Sequence, residues 1–98
     1  MSKNIIFRAI SDAEFIESAA WYEDQRQGLG AEFIERVENV LDNIAENPQL
    51  YPVVFRDIRE AFVSKFPYCV YYRVKADRIV VTAVFHTSRD SAVWQSRN

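Results

Sequence analysis

The sequence predicts an α+β domain of β-α-α-β-β-β order, with an antiparallel helical hairpin packed on one face of a small, mostly antiparallel sheet. Three observations carry that expectation. Phe33/Ile34, Val37, Val40/Leu41 and Ile44/Ala45 recur at helical spacing, with charged and polar residues between them. The stretch from Arg59 to Arg89 is rich in β-branched and aromatic residues that alternate at period two. Gly28-Leu29-Gly30 interrupts the helical pattern, and so short a break favours two antiparallel helices. With 98 residues there is material for one core and not for two, so residues 1–98 are expected to form a single domain.

Taken in order, Ile5-Ile6-Phe7-Arg8-Ala9-Ile10 reads as a first strand. Ser11-Asp12-Ala13-Glu14 has the spacing of a capping box, in which the Ser11 hydroxyl accepts a backbone N–H and Glu14 reaches back. The first helix is then expected over about 11–27, with Phe15, Ile16, Ala19, Ala20 and Tyr22 as its apolar stripe. The second is expected over about 31–46, with Val37, Leu41 and Ile44 deeply buried; Asn47-Pro48 ends it, because a residue before proline is pushed out of the helical region. Tyr51-Pro52 opens a connector past Phe55. Three strands follow, with Pro67 marking a strand start or edge and Ala76-Asp77 closing a hairpin.

Composition narrows the function classes. Hydrophobic residues make up 49% and charged residues 27%, as in ordinary globular proteins. No apolar run approaches the ~20 residues that span a bilayer and no signal-peptide pattern opens the chain, so no membrane association is expected. The lone Cys69 cannot form an internal disulfide, which points to a reducing cytoplasm. One Cys and one His give no basis for a zinc site, and no cofactor motif is present. Residues 1–50 carry four bases against ten acids, whereas residues 51–98 carry eight against four. The result is an acidic helical layer and a basic strand layer, a poor overall charge for general nucleic-acid binding.

A helical hairpin covers one sheet face only. The other would carry Tyr71, Val80 and Val84 beside Arg73, Lys75 and His86, a mixed apolar and basic surface suited to a partner. The alternative is that loops or a C-terminal tail anchored by Trp94 cover it.

Several landmarks then fall into a recognisable order: Trp21-Tyr22, Gly28-Leu29-Gly30 with Phe33, Asn47-Pro48, Tyr51-Pro52, Arg59, Phe66-Pro67-Tyr68, Tyr71-Tyr72-Arg73-Val74, Val84-Phe85-His86, Arg89-Asp90 and Trp94. In order and spacing the chain resembles the RelE/ParE superfamily of toxins from type II toxin–antitoxin systems, and Phe-Pro-Tyr with Phe-His-x-x-Arg-Asp resembles its ParE-like, plasmid-stabilisation group. The resemblance implies a cognate antitoxin that wraps and neutralises the toxin, in a hetero-oligomer or beside a homodimer. For a ParE-like member it implies inhibition of DNA gyrase by binding; for a RelE-like member, ribosome-dependent cleavage of messenger RNA. A third reading is an inactive relative that only binds antitoxin.

On the ParE-like reading no residue is catalytic. Tyr71, Arg73, Lys75 and Val84 are then the expected antitoxin contacts. His86, Arg89 and an exposed tail bearing Trp94 and Arg97 are the expected target contacts. RelE-type nucleases have an arginine where this chain has Cys69, and a C-terminal tyrosine where it has Trp94, whose indole N–H transfers protons poorly. A nuclease would have to substitute Arg59, Arg73, His86 and Arg89 to provide acid–base and charge-stabilising groups.

Overall fold

Val37, Val40 and Ile44 repeat at three- and four-residue spacing, which stacks them on one helix face, and all three are buried. The computed structural model describes residues 3–98 and places that face against a sheet. The elements are β1 (Asn4–Phe7), α1 (Ala9–Gln25), α2 (Leu29–Glu46), β2 (Val53–Phe55), β3 (Ile58–Phe62), β4 (Tyr68–Val74), β5 (Arg78–His86) and α3 (Ala92–Gln95). The five strands lie in the order β1-β5-β4-β3-β2, with β1 parallel to β5 and the other pairs antiparallel. The expected α+β class and helical hairpin are therefore present, with one strand more than the sequence suggested. That strand, β2, lies in the stretch expected as a connector; its turn into β3 uses Arg56 at φ 54°, so no glycine announces it.

The hairpin break is three residues long, as expected, but it lies at residues 26–28, two residues earlier than the sequence suggested. Gly28 takes φ 89°, and α2 begins immediately after it. Glu23 of α1 makes this possible, because its carboxylate accepts the Gly28 N–H at 2.9 Å and the Gly30 N–H at 3.0 Å. These are orphan donors of the α2 N-terminus, satisfied by the neighbouring helix. A side chain at residue 30 would put its Cβ 2.6 Å from the Ala19 carbonyl oxygen, so glycine permits the close approach of the two helices.

The start of α1 departs from the capping-box expectation. The helix begins at Ala9, and Ser11 is fully buried in its first turn. Its hydroxyl lies 2.8 Å from the Val81 carbonyl oxygen and 2.9 Å from that of Arg8, so it joins helix to sheet instead of capping. Glu14 likewise points forward, to Val84 and Arg97, and not back. Phe15, Ala19 and Tyr22 pack on the core as expected, but Ile16 and Ala20 face outwards. Leu41 is half-buried, whereas Val37 and Ile44 are wholly buried.

One residue resets the sheet. In β5, Ile79 and Val81 lie on the helix side, and simple alternation would put Ala83 there too. The β4–β5 register instead pairs Tyr72 with Val81 and Tyr71 with Ala83, which leaves Thr82 as an extra, buried residue. Its hydroxyl satisfies the Tyr71 carbonyl at 3.3 Å. Beyond this bulge the faces exchange: Val84 joins the helix-side core, while Ala83 and Phe85 join the opposite cluster.

Candidate partner-binding site

The exchange of faces at Thr82 has a direct effect on His86. Two residues beyond Val84, it lies on the helix side, opposite Tyr68 in β4, with the two rings 5.2 Å apart and edge to face. Trp21 and Tyr22 of α1 approach from above, themselves edge to face at 5.1 Å. Ser88 and Arg89 follow from the loop after β5. Together Trp21, Tyr22, Tyr68, His86, Ser88 and Arg89 line a cleft of about 440 Å³.

The polar groups of the cleft are oriented. His86 Nδ1 accepts the Ser88 backbone N–H at 3.0 Å and lies 2.7 Å from its hydroxyl. An acceptor at Nδ1 places the proton of the neutral ring on Nε2, as a donor. The Arg89 guanidinium lies over the Phe85 ring, 4.2 Å from its centroid, a cation–π contact. Arg89 forms no ion pair among the described residues, whereas Arg26, Arg73, Arg78 and Arg97 each meet a carboxylate. Burial, then the neighbouring Tyr68, raises the Tyr22 hydroxyl above its ordinary pKa, so it stays protonated. No carboxylate lines the cleft.

His86 and Arg89 are therefore brought together, but the other expected target contacts are not with them. The sequence suggested an exposed tail bearing Trp94 and Arg97; instead Trp94 is buried on the opposite side of the sheet, and Arg97 is largely shielded by its contacts with Glu14 of α1 and the Thr82 carbonyl. Trp94 stacks on Tyr71 at 4.0 Å and 22°, meets Phe55 edge to face, and fills the cluster of Ile58, Cys69, Ala83 and Phe85. Arg97 pairs with Glu14 at 2.8 Å and 3.1 Å, with both side chains largely shielded. Arg56 adds a bond to the Asn98 carbonyl. The covered-face alternative is the one that forms, because Trp94 has an aromatic partner of its own in Tyr71.

The expected antitoxin face changes for the same reason. Tyr71 is buried beneath Trp94 and donates its hydroxyl to Glu60 at 2.7 Å; burial first, then that bond, raises its pKa strongly. Val84 lies in the helix-side core, on the other face, because of the Thr82 bulge. Only Arg73, half-buried and bonded to Asp57, and the exposed Lys75 keep a place at the surface.

The alternative catalytic set is dispersed. Arg59 is on the helix side, held by the carbonyls of Tyr51 and Gln49 and by the Gln49 side chain. Arg73 projects on the opposite face. It pairs with Val80, six residues along β5 from His86, or about 20 Å at strand rise. Among the described residues no group of three His, Cys, Asp or Glu side chains has a metal-binding arrangement. Trp21, Tyr22, Tyr68 and Ser88 were not expected in the site. The signal for Trp21 was present in α1, as a large aromatic residue outside the apolar stripe.

Comparison with known proteins places the chain in a family. Residues 5–91 match the model of the family described as "ParE toxin of type II toxin-antitoxin system, parDE". No curated protein matches the sequence significantly. Among solved structures, a chain of the "Chromosomal ParDE TA system from P. aeruginosa" is similar with a TM-score of 0.66 and 12% identity. The match covers 89% of this chain and 98% of that one. At this identity the likeness concerns the fold.

Proposed function

The chain belongs to the ParE toxin family of type II toxin–antitoxin systems, and from that membership we propose that it inhibits DNA gyrase by binding and is neutralised by a cognate antitoxin. The family match is the observation that carries this reading. It acts as one toxin domain spanning residues 1–98, in the cytoplasm, and no helix among the described residues is long and apolar enough to cross a membrane. Dispersal of Arg59, Arg73 and His86 supports binding over ribonucleolysis, since acid–base chemistry requires its groups within hydrogen-bond reach of one phosphate. The target contacts are His86 and Arg89, with Trp21 in the place first expected for Trp94. Arg73 and Lys75 are the surface groups for an acidic antitoxin segment.

The test is induction without antitoxin, followed by parallel assays of plasmid supercoiling and messenger RNA integrity. Loss of supercoiling ahead of any RNA cleavage is the expected outcome, and Trp21→Ala with Arg89→Glu should relieve it. Ribosome-dependent RNA cuts with normal supercoiling would transfer the chain to the nuclease class. Normal growth on induction would mark an inactive, antitoxin-binding relative.

A further inference from the structure

The cleft under Trp21 has a chemical bias that the family assignment does not specify. Its walls are flat rings: the Trp21 indole, the Tyr22 and Tyr68 phenols and the His86 imidazole. Its polar residues carry hydroxyls (Tyr22, Tyr68, Ser88), the His86 Nε2–H and, at the rim, Arg89, whose guanidinium rests over Phe85 and meets no carboxylate among the described residues. A neutral ring or an aliphatic group alone would leave Arg89 unanswered.

We propose that this cleft takes a short peptide segment of a protein partner in which a carboxylate sits beside an aromatic or large apolar side chain. The carboxylate meets Arg89 and the apolar group enters between Trp21 and Tyr68. A nucleic-acid strand offers an anion and a flat ring as well, but the surroundings disfavour it. Trp21 and Tyr22 sit on α1 among Glu17, Glu23 and Asp24, and the chain carries a net charge of −2. A polyphosphate would meet that acidic helix over several residues, whereas one carboxylate engages one guanidinium and stops. The proposal refines the target-facing role given above to the same cleft, and rests on it for its biological sense; its test does not need gyrase.

The protein carries a built-in control, since Trp21 is exposed and Trp94 is buried on the opposite face. Indole N–H signals of ¹⁵N-labelled protein are followed during titration with a capped tetrapeptide bearing adjacent phenylalanine and aspartate. The asparagine counterpart and a 5′-phosphorylated thymidine dinucleotide serve as comparisons. The aspartyl peptide should shift the Trp21 signal and leave that of Trp94 in place. Binding should weaken about tenfold or more for the asparagine peptide, and likewise in Arg89→Gln, as expected for loss of a charged hydrogen bond. No shift with the aspartyl peptide, equal binding of the asparagine peptide, or tighter binding of the dinucleotide would each overturn the proposal. Peptide binding that obeys these rules while Trp21→Ala still blocks supercoiling would uphold the cleft chemistry and remove gyrase as its ligand.

Discussion

Trp94 lies face to face on Tyr71, 4.0 Å between ring centroids, and so covers the sheet face that the two long helices leave bare. A helix of four residues cannot hold itself together, so its position depends on this stack and on the contacts of the residues that follow it.

Trp94→Ala should cost about 3–5 kcal/mol, the range for emptying a buried aromatic site. Cys69, nearly inaccessible in the same cluster, should then react with a thiol reagent much faster than in the parent protein. Thiol kinetics under native conditions read this directly. Unchanged reactivity with an unchanged melting temperature would mean that the stack bears no weight.

Arg97→Ala should destabilise the fold by about 3–5 kcal/mol, because it strands the Glu14 carboxylate in a shielded position. Glu14 would retain the Val84 N–H at 3.1 Å but lose both guanidinium contacts. Adding Glu14→Gln should restore part of the loss, since an amide costs less to leave unpaired than a charge. A double-mutant cycle in urea measures the coupling. Removal of the last residues is accordingly expected to abolish toxicity through unfolding, and circular dichroism separates that from lost target contact.

Alkaline pH should destabilise the protein in a defined window. Burial, then the nearby Glu60, pushes the Cys69 thiol from 9.0 up to about 11, against a smaller opposing effect of its bond with Tyr71. Burial also moves the Tyr72 hydroxyl from 10.0 to about 12 despite Arg59. Between each pair of values the unfolded chain has released a proton that the folded chain retains, so stability falls as pH rises. It is fully present below pH 9 and declines between 9 and 12. Urea midpoints across that range check the sign, and Cys69→Ala should flatten the first part of the decline.

His86→Ala should reduce toxicity only modestly. The ring contributes one wall of a cleft that Trp21, Tyr22 and Tyr68 also shape. A general acid or base would instead cost about 10²–10⁴-fold. Growth-arrest titration against induction level distinguishes the two magnitudes.

The helical hairpin was legible because Val37, Val40 and Ile44 repeat without competition from other apolar faces. In α1 the pattern is blurred: Ile10, Ile16 and Trp21 are apolar yet exposed, so the stripe could not be drawn from type alone. The site was legible in part. Their order near the strand end names His86 and Arg89 as candidates, but not the face they lie on, because period two fails at Thr82 and no glycine marks the bulge. Ser11 shows the same limit. Its spacing to Glu14 suits a cap, and only the distant Val81 carbonyl shows why it is used otherwise.

The parallel pairing of β1 with β5 sets an order on synthesis. Asn4 has its partner in Arg78, and Phe7 in Val81, so the first strand emerges from the ribosome long before the strand it joins. At about 5–20 residues per second the wait lasts several seconds. Until β5 is made, Phe33, Val37 and Ile44 lack part of the sheet on which they pack in the finished fold. The apolar face of α2 thus stays without its full sheet until the last third of the chain is made, a price in exposed surface that a sheet of purely sequential hairpins would not carry.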